Sequence, residues 1–419
     1  MSKRQYIRRG VQQQEPQPHI FDLYQKPLFD NTIRKEEFRT YTPYIKSFNN
    51  SDVVEFIINQ SDAFFAIHET LLEIKGSIEK VGDGVVSLAP NAGAFLFDTC
   101  TYIQSSHDME IVRDPGVVST IRSLLCYTPE DSKFLSTAGW NYPNNPHISG
   151  DNFSLLIPIK HIFNIFNDYN KLTYGRQVFR FVRARNDRDC ILMKEPNATT
   201  TTTVSLTVTS MELKVKHVFP NDDMKIELMT PIKNNVPITI PFRKWELNEL
   251  PSLTSGSRRE IWSVKTTSSV ERPRYVIVAF QTSKRDDIHA DPTLFDHIRM
   301  SSVRLVINGE YWPNERMQLD FAKNDYAIAH YNYTEFFPSY TLSSTKHPIL
   351  DYAAFKKYAL FVFDCSKQDD TSFRSGTVDV KLEIEADEGF PAGTRAYCLI
   401  VHDSLLEYFP LTEVIKNII

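Results

Sequence analysis

Apolar and polar side chains alternate along many short segments of this chain. In the clearest segment, Val378, Val380, Leu382 and Ile384 alternate with charged residues at positions 379, 381, 383 and 385. Because successive side chains of a β-strand point to opposite faces, this pattern predicts a strand with one buried face. Similar alternating or wholly apolar stretches predict further strands at about 54–58, 64–78, 85–88, 154–159, 177–183, 190–193, 238–240, 275–281, 360–363 and 397–401.

The segment 296–321, DHIRMSSVRLVINGEYWPNERMQLDF, carries the strongest hairpin signal. It begins with a strand whose apolar positions alternate up to Ile307. Asn308 and Gly309 follow, and both accept the positive φ angles that a two-residue hairpin turn requires. Pro313 restricts the returning strand to a sheet edge or a bulge, since proline has no N–H to donate. A short helix is predicted from Asn324 to about Phe337.

The first half of the chain contains a looser copy of this arrangement. It predicts a strand at 94–102, a turn at 105–108, a returning strand at 109–112 and a helix at 115–127, with Pro115 near the helix start. The copy indicates that one β unit is built twice.

A change of phase predicts a β-bulge near Ser210. Val204, Leu206 and Val208 occupy even positions, whereas Met211, Leu213 and Val215 occupy odd ones. One extra residue in a strand reverses which side chains point inward, so a bulge accounts for the switch.

Many short strands, turn signals and few helices predict an all-β fold of two consecutive jelly-roll β-sandwiches with short helices in loops. We expect an N-terminal arm at 1–44, jelly rolls at 45–235 and 236–407, and a C-terminal tail at 408–419. The join at 221–235 lacks a Gly/Ser linker, which predicts rigid packing of the two units.

The arm, with Lys3, Arg4, Arg8 and Arg9, is either a disordered tail or a segment that orders against a neighbour or an acidic partner. The apolar stretch 405–419 predicts a short helix for docking on a neighbour.

Composition excludes several classes of protein. The 419 residues carry a formal net charge of −5, so the charge of the whole protein does not attract nucleic acid. Five scattered cysteines without a CxxC motif indicate reduced thiols. The N-terminus has no apolar signal-peptide core, and no apolar run reaches the ~20 residues that span a bilayer. We therefore expect synthesis in the cytosol.

The sequence contains few candidates for chemistry. Phosphate-binding glycine loops, HExxH and GxSxG are absent, as is the His-x-His pair of a cupin metal site. The densest group of potential metal ligands is Asp287, His289, Asp291 and His297, for which we favour a solvated loop. Paired carboxylates for glycoside hydrolysis stay open. For Cys126 and Cys365 we favour small buried apolar residues over nucleophiles.

Two other groups of residues could form binding surfaces. Trp140 and Trp312 lie in or beside predicted loops, where they would serve as carbohydrate platforms, interface anchors or plain packing residues. Basic side chains cluster around a predicted hairpin that joins 177–183 to 190–193. If these arginines share one face of the hairpin, they could contact phosphate or an acidic neighbour. The simpler alternative is that they lie in a solvated turn. The cluster comprises Arg180, Arg183, Arg185 and Arg188.

The order of these features over about residues 45–410 resembles the double-jelly-roll major capsid proteins of eukaryotic DNA viruses, of the Polinton/Maverick and adintovirus type. The most specific segment is the strand ending VNGE followed by P and LDF within 296–321. VVEFIIN, AIHETLLEIKGSIEK, GAFLFDTCTYIQSSHDMEI, a helix ending SLLCYT, QVFRFVRARNDRDCILM, YALFVFDCS and VDVKLEIE are similar to further blocks of that family.

The resemblance implies a structural protein and no enzyme. It implies a homotrimer of six jelly rolls that forms a pseudo-hexameric capsomer of an icosahedral shell, located in the virion. Expected partners are neighbouring capsomers, penton and minor cement proteins, with encapsidated DNA contacted only indirectly. No catalytic, cofactor-binding or metal residue and no cofactor is assigned. The alternatives are a carbohydrate-binding jelly-roll protein and a β-sandwich hydrolase.

Overall fold

The computed structural model describes residues 32–60, 63–140, 142, 151–194, 202–267, 272–343, 348–367 and 378–418. In the first half, β-strands make up most of the structure, with short helices between them. The strands are β1 (Ile33–Tyr41), β2 (Val53–Ile58), β3 (Phe64–Phe65), β4 (Leu71–Val81), β5 (Val85–Leu88), β6 (Phe97–Gln104), β7 (His107–Arg113), β8 (Asn152–Pro158), β9 (Gln177–Arg183), β10 (Ile191–Lys194) and β11 (Thr203–Pro220). The helices are α1 (Ala92–Phe95), α2 (Pro115–Cys126), α3 (Pro129–Phe134), α4 (Ile165–Asp168) and α5 (Asp222–Lys233).

The second half is built in the same way. Its strands are β12 (Ile238–Leu250), β13 (Arg259–Thr267), β14 (Pro273–Thr282), β15 (Met300–Ile307), β16 (Glu310–Trp312), β17 (Leu360–Asp364), β18 (Val378–Ala386), β19 (Thr394–Phe409) and β20 (Val414–Asn417). Its helices are α6 (Ala327–Thr341) and α7 (Tyr352–Phe355).

Both halves wind their strands in one order. With β3, β5 and β10 set aside, the first half has eight strands that can be lettered B to I along the chain. Its two sheets are β1-β11-β4-β8 and β2-β9-β6-β7, which is B-I-D-G and C-H-E-F. With β20 set aside, the second half has β12-β19-β14-β17 and β13-β18-β15-β16, the same two orders. Each half is therefore a jelly roll, as the sequence predicted.

The core of each roll lies between its two sheets, as the alternating patterns indicated. Along β18 the side chains of Val378, Val380, Leu382 and Ile384 are buried, and the charged residues between them are partly exposed. β2 alternates in the same way. β17 is buried on both faces apart from its last residue, because α6 packs on the side away from the partner sheet.

The predicted hairpin and bulge are both confirmed. Asn308 and Gly309 join β15 to β16 with φ angles of 52° and 86°, as a two-residue turn of this hand requires. In β11, Val208 pairs with Gly76 and Ser210 with Lys75, which leaves Thr209 without an opposite residue. The extra residue produces the phase change seen in the sequence.

Three elements differ from the sequence expectation because pairing partners, not local pattern, decided them. Residues 33–41, which we had assigned to the arm, form β1 on the edge of the first sheet. The residue pattern of β1 is charged and mostly exposed, as in many edge strands, and so gives no apolar alternation. The short helix expected within 405–419 is wrong, since β19 continues to Phe409 and β20 pairs with its end. The basic arm residues 3–9 lie outside the described residues.

The hairpin expected between 177–183 and 190–193 is also wrong. β9 is paired on both edges, with β2 and β6, so it has no free edge for β10. β10 pairs instead with β5.

Candidate functional site

The predicted metal ligands do not come together. Asp287 accepts a hydrogen bond from the backbone N–H of His289 (2.9 Å), and the His289 ring contacts a backbone carbonyl of the first roll. Asp291 closes its own turn, and His297 stacks on Phe321 with ring centroids 4.6 Å apart. Within the residues that the structure describes, no three His, Cys, Asp or Glu side chains form a group that could hold a metal ion.

The two cysteines considered as nucleophiles lie in unsuitable surroundings. Burial raises the pKa of Cys126 to about 12, so its thiol stays protonated near neutral pH. Cys365 is buried beside β17 and its Sγ lies 3.9 Å from the backbone oxygen of Phe363. Both residues therefore serve as small packing side chains.

The tryptophans offer no open ring face for a sugar. Trp140, Trp245 and Trp262 are buried, with exposures of 1%, 2% and 8%. Trp312 is half-buried, and its indole N–H donates to the backbone oxygen of Asp364 (2.8 Å). Since the chain has four tryptophans, none provides the exposed platform that a carbohydrate-binding surface needs.

The arginine cluster does not share one face, contrary to one of the sequence alternatives. Arg183 points into the first roll, where it donates to the backbone oxygen of Leu96 (2.7 Å) and pairs with Asp187. Arg180 points outward and pairs with a glutamate of β2 (2.6 Å). Arg185 is exposed, and Arg188 reaches toward a loop of the second roll. The alternation along β9 separates these side chains, so they form no common phosphate site.

A partly buried ionic cluster joins the two rolls. Arg285, from the D–E loop of the second roll, lies 2.8 Å from a carboxylate oxygen of Asp114 and 2.8 Å from one of Asp189, both in the first roll. Asp189 also accepts a hydrogen bond from the backbone N–H of Asp286 (2.8 Å). Burial raises the pKa of Asp114 and of Asp189, and Arg285 opposes this rise at both residues. Burial alone would lower the pKa of Arg285, but the two carboxylates raise it, so the guanidinium stays charged.

This cluster lines a polar cleft of about 620 Å³ between the rolls. Its acidic side chains could have suggested the paired carboxylates of a hydrolase. However, Glu249 is paired with Arg395 (2.8 Å), Asp286 lies 3.7 Å from the same arginine, and Asp114 and Asp189 share Arg285. A glycoside hydrolase needs one carboxyl group that donates a proton and one that acts as base or nucleophile. Because these four carboxylates are paired with arginines, the cleft serves as a joint.

A second polar contact fixes β12 to the first roll. The Arg243 guanidinium pairs with Asp168 of α4 (2.5 Å) and lies 3.5 Å above the ring centroid of Tyr340. The Asn164 side chain donates to the backbone oxygen of Arg243 (2.7 Å). Below this contact, Glu110 of β7 accepts the backbone N–H groups of residues 164 and 165 (3.1 and 2.9 Å). Burial raises the pKa of Glu110 to about 7.

The helices of the two F–G connections also meet. α2 lies between β7 and β8, and α6 lies at the same place between β16 and β17. The Tyr333 hydroxyl of α6 donates to the backbone oxygen of Leu124 in α2 (2.7 Å) and accepts from the N–H of Leu350 (3.1 Å). Another contact between the rolls brings Tyr408 so close to Gly175 that a Cβ at residue 175 would lie 2.8 Å from the Tyr408 hydroxyl oxygen.

The sequence analysis did not single out these joint residues. Arg285 and Asp286 immediately precede the group at 287–297 for which the sequence favours a solvated loop, and Asp114 simply precedes a predicted helix. Nothing local to either segment indicates that they meet, because 171 residues separate Asp114 from Arg285.

The fold defines this chain as a double jelly roll: two rolls of one winding, docked side by side. The model of the double jelly roll-like domain family matches residues 86–406. This range is more than half of the chain, and the chain therefore belongs to that family.

Solved structures with the same architecture come from viruses. A chain of the Sputnik virophage, solved by cryo-EM, is 9% identical with a TM-score of 0.63, and the match covers 97% of this chain and 93% of that one. The Faustovirus major capsid protein is 10% identical with a TM-score of 0.57, covering 92% of each chain. The mavirus major capsid protein is 9% identical with a TM-score of 0.56, covering 94% of this chain and 91% of that one. At such identities the similarity concerns the fold. No curated protein matches the chain.

Among the described residues, no helix has the length and apolar character needed to cross a membrane.

Proposed function

We propose that this chain is a major capsid protein, whose working surfaces are the sides of its two jelly rolls. The observation that carries the proposal is the rigid joint between two rolls of identical strand order. Arg285 and Arg243 fix that joint with partly buried ion pairs, so the two rolls act as one building block. A repeated fold docked side by side suits a shell that is tiled by many copies of one unit.

The finer proposal is a homotrimer whose six rolls form a pseudo-hexameric capsomer of an icosahedral shell. Such capsomers would contact one another, penton proteins and minor cement proteins. The formal net charge of −5 supports a shell that touches encapsidated DNA only indirectly. The protein would be made in the host cytosol and located in the virion. We also propose that the boundary between the rolls lies near residue 236, after α5, with an arm at the N-terminus and a tail at the C-terminus.

The alternatives have lost their support. The loop tryptophans that suggested a carbohydrate-binding protein form no exposed platform, because Trp140 is buried and Trp312 is half-buried. A hydrolase would need a pair of carboxylates that are free to exchange protons, and four of those that line the cleft, Asp114, Asp189, Glu249 and Asp286, are paired with arginines.

The test is electron microscopy of the purified full-length protein, combined with its mass in solution by light scattering. We expect trimers, at three times the 48.4 kDa chain mass, which assemble into shells or flat hexagonal arrays at high protein concentration. A protein that stays monomeric at every concentration and forms no regular assembly would contradict the proposal.

A further inference from the structure

The outer face of one sheet in the first roll is largely apolar. In the sheet β2-β9-β6-β7, the side chains of Phe56, Phe179 and Tyr102 point into the core, and the residues between them point away from it. The ion pair of Arg180 with Glu55 (2.6 Å) lies on this outer side. The apolar side chains around it, which define what we call the apolar face, are those of Val53, Ile57, Ile103, Ile111, Val178 and Val182.

The corresponding sheet of the second roll has a charged outer face. Its outward side chains along β18 are those of Asp379, Lys381, Glu383 and Glu385. Arg304 of β15 lies 3.7 Å from Glu383, and Lys381 lies 2.7 Å from Asp379. An antiparallel sheet with one face in water normally presents such a polar surface. The apolar face of the first roll departs from this pattern, as surfaces that another group of atoms covers do.

A cavity of about 230 Å³ opens on the apolar face. Ile103 and Val178 line it together with Arg176. The Arg176 guanidinium donates to the backbone oxygen of Ser105 (3.0 Å) and forms no ion pair with a described residue. The cavity therefore combines apolar walls with a cation, which fits an aromatic side chain that is accompanied by a carboxylate.

The size of the apolar face favours a short segment as its occupant. Four strands about 4.8 Å apart, with three rows of outward side chains, cover roughly 400 Å². Stable contacts between separately folded proteins bury about 800 Å² on each partner. A segment of the same chain needs less contact, because its tether holds it near the face at an effective concentration in roughly the mM range.

The N-terminal 31 residues form the longest segment outside the described residues. Within them, positions 20–29 read IFDLYQKPLF, and six of these ten residues are large and apolar. Three of the six are aromatic, and Asp22 in the same stretch supplies a carboxylate for Arg176. The composition of segment 20–29 therefore complements both the apolar face and its cavity.

The start of β1 lies close enough for segment 20–29 to reach the apolar face. β1 is the edge strand beside β2, and Arg39 of β1 donates to Gln60, two residues beyond β2 (2.8 Å). Arg39 is six residues from Ile33, which is roughly 20 Å along a strand. An extended chain spans about 3.5 Å per residue, so residues 20–29 reach roughly 15–45 Å from Ile33. This range includes the near end of the apolar face and its length.

We infer that segment 20–29 covers the apolar face of its own chain, with an aromatic side chain in the cavity beside Arg176. The contact buries apolar surface on both sides. The same chain is favoured over a neighbour because the tether already holds the segment near the face. Once covered, the face no longer promotes association with other proteins through exposed apolar side chains.

Photo-cross-linking in the full-length chain tests this placement without assuming a register. Tyr24 would be replaced by the photoreactive amino acid p-benzoylphenylalanine, and the cross-linked peptides would be identified by mass spectrometry. We expect links to peptides that contain 99–103 or 177–182, in a product that keeps the mass of one chain on a denaturing gel. The matched control carries the same amino acid at Tyr6, outside the segment, and should give few of these products.

Three outcomes of the cross-linking experiment would overturn the inference. Links from position 24 to the second roll, or to parts of the first roll away from the apolar face, would show that the segment lies elsewhere. Covalent dimers on the denaturing gel would show that it crosses to another copy. A lack of any product from position 24 would show that it contacts no surface.

Charge substitution on the apolar face gives an independent test. Val53→Asp and Ile111→Asp each change a side chain that is already 47% or 41% exposed, so the circular dichroism spectrum should not change. A carboxylate beneath the segment should lower the cross-linking yield from position 24 about tenfold. The control is Ile261→Asp, on strand C of the second roll and 57% exposed, which should leave the yield unchanged. Equal yields in all three variants would contradict the contact.

The inference stands apart from the proposed capsid function. Segment and face belong to one chain, so the cross-link is expected in monomers and in trimers alike. A chain that stays monomeric but gives the cross-link contradicts only the capsid function. A trimer without the cross-link contradicts only the covering of the apolar face.

Discussion

The helices α2 and α6 occupy the same place in the two rolls but lie in different surroundings. Eleven of the twelve residues of α2 are buried, whereas α6 buries four of its fifteen, namely Ala329, Tyr333, Phe336 and Tyr340. α2 is covered by its own roll on one side and by the second roll on the other. α6 packs on β17 and α2, and nothing within the described part of the chain covers its outer face.

This difference explains the composition of the two helices. α2 combines small and aliphatic residues, and its buried polar groups find local partners: Ser119 donates to the backbone oxygen of Pro115 (2.6 Å), and Arg122 to that of His161 (2.5 Å). α6 is rich in tyrosine and phenylalanine. The tyrosine ring can pack in an apolar core while its hydroxyl group contacts water or a hydrogen-bond partner. The comparison teaches that two rolls with the same strand order carry helices of different composition at the same place, because only the helix of the first roll is covered on both sides within the chain.

The largest effect is expected at the ionic cluster that fixes the start of α2. Arg285→Ala would leave the two partly buried carboxylates of Asp114 and Asp189 without their shared cation, which should lower the free energy of unfolding by about 3–5 kcal/mol. Chemical denaturation monitored by circular dichroism measures the loss. The control is Arg299→Ala, which breaks an exposed pair with Glu388 and should cost less than about 1 kcal/mol. Equal losses in the two variants would contradict the anchoring role.

A direct comparison of the two helices should give the next largest difference. Ile121→Ala in α2 opens a cavity at a fully buried position and should cost about 2–5 kcal/mol. Ile328→Ala on the outer face of α6 removes an exposed side chain and should change the unfolding free energy of the monomer by less than about 0.5 kcal/mol. Both are measured by denaturant titration at low protein concentration, and similar values would remove the contrast between the helices.

Glu110, in the strand before α2, should make the free energy of unfolding depend on pH. The pKa of Glu110 is raised to about 7 in the folded chain, so its contribution to stability is complete below the unfolded pKa and is lost as pH rises through the folded value. The unfolding free energy should therefore include a term of up to roughly 3 kcal/mol that disappears between about pH 4.5 and 7. Glu110→Gln removes the titrating group and should flatten this part of the profile.

Other groups titrate in the same range with opposite sign. Burial lowers the pKa of His161 to about 3, so that residue favours unfolding as pH falls below its unfolded pKa. The difference between the wild-type profile and the Glu110→Gln profile isolates the glutamate. Parallel profiles would show that Glu110 titrates normally.

The smallest predicted effect concerns the hydrogen bond between the two helices. Tyr333→Phe leaves the backbone oxygen of Leu124 and the N–H of Leu350 without their hydroxyl partner, which should cost about 1–2 kcal/mol. Tyr44→Phe serves as the control, since Tyr44 is 86% exposed and its substitution should have an effect within about 0.5 kcal/mol. A loss at Tyr333 no larger than at Tyr44 would mean that the contact between α2 and α6 rests on packing alone.

Features that depend on neighbours in the sequence were predictable. The alternation along β18, the Asn308-Gly309 turn and the bulge near Ser210 all follow from the backbone period and from residues that accept positive φ. α5 was not predicted, although Asn221 caps its start by accepting a hydrogen bond from the N–H of Met224 (2.8 Å).

Features that depend on distant pairing were not predictable. β1 and β20 became strands because β11 and β19 offered free edges, and β10 left the expected hairpin because both edges of β9 were taken. The candidate site followed the same rule. In the loop of Arg285 the sequence indicated only a group of potential metal ligands at 287–297, and only docking of the rolls brought that guanidinium between two carboxylates.

The amino-acid sequence by itself determined where most of the core strands form, which of their faces point inward, and that one β unit occurs twice. The tertiary structure decided which strands are neighbours, how the rolls dock, and which sides stay open. The physical reason is that side-chain period and turn geometry act over a few residues, whereas edge pairing and buried ion pairs depend on groups that the chain brings together only when it folds.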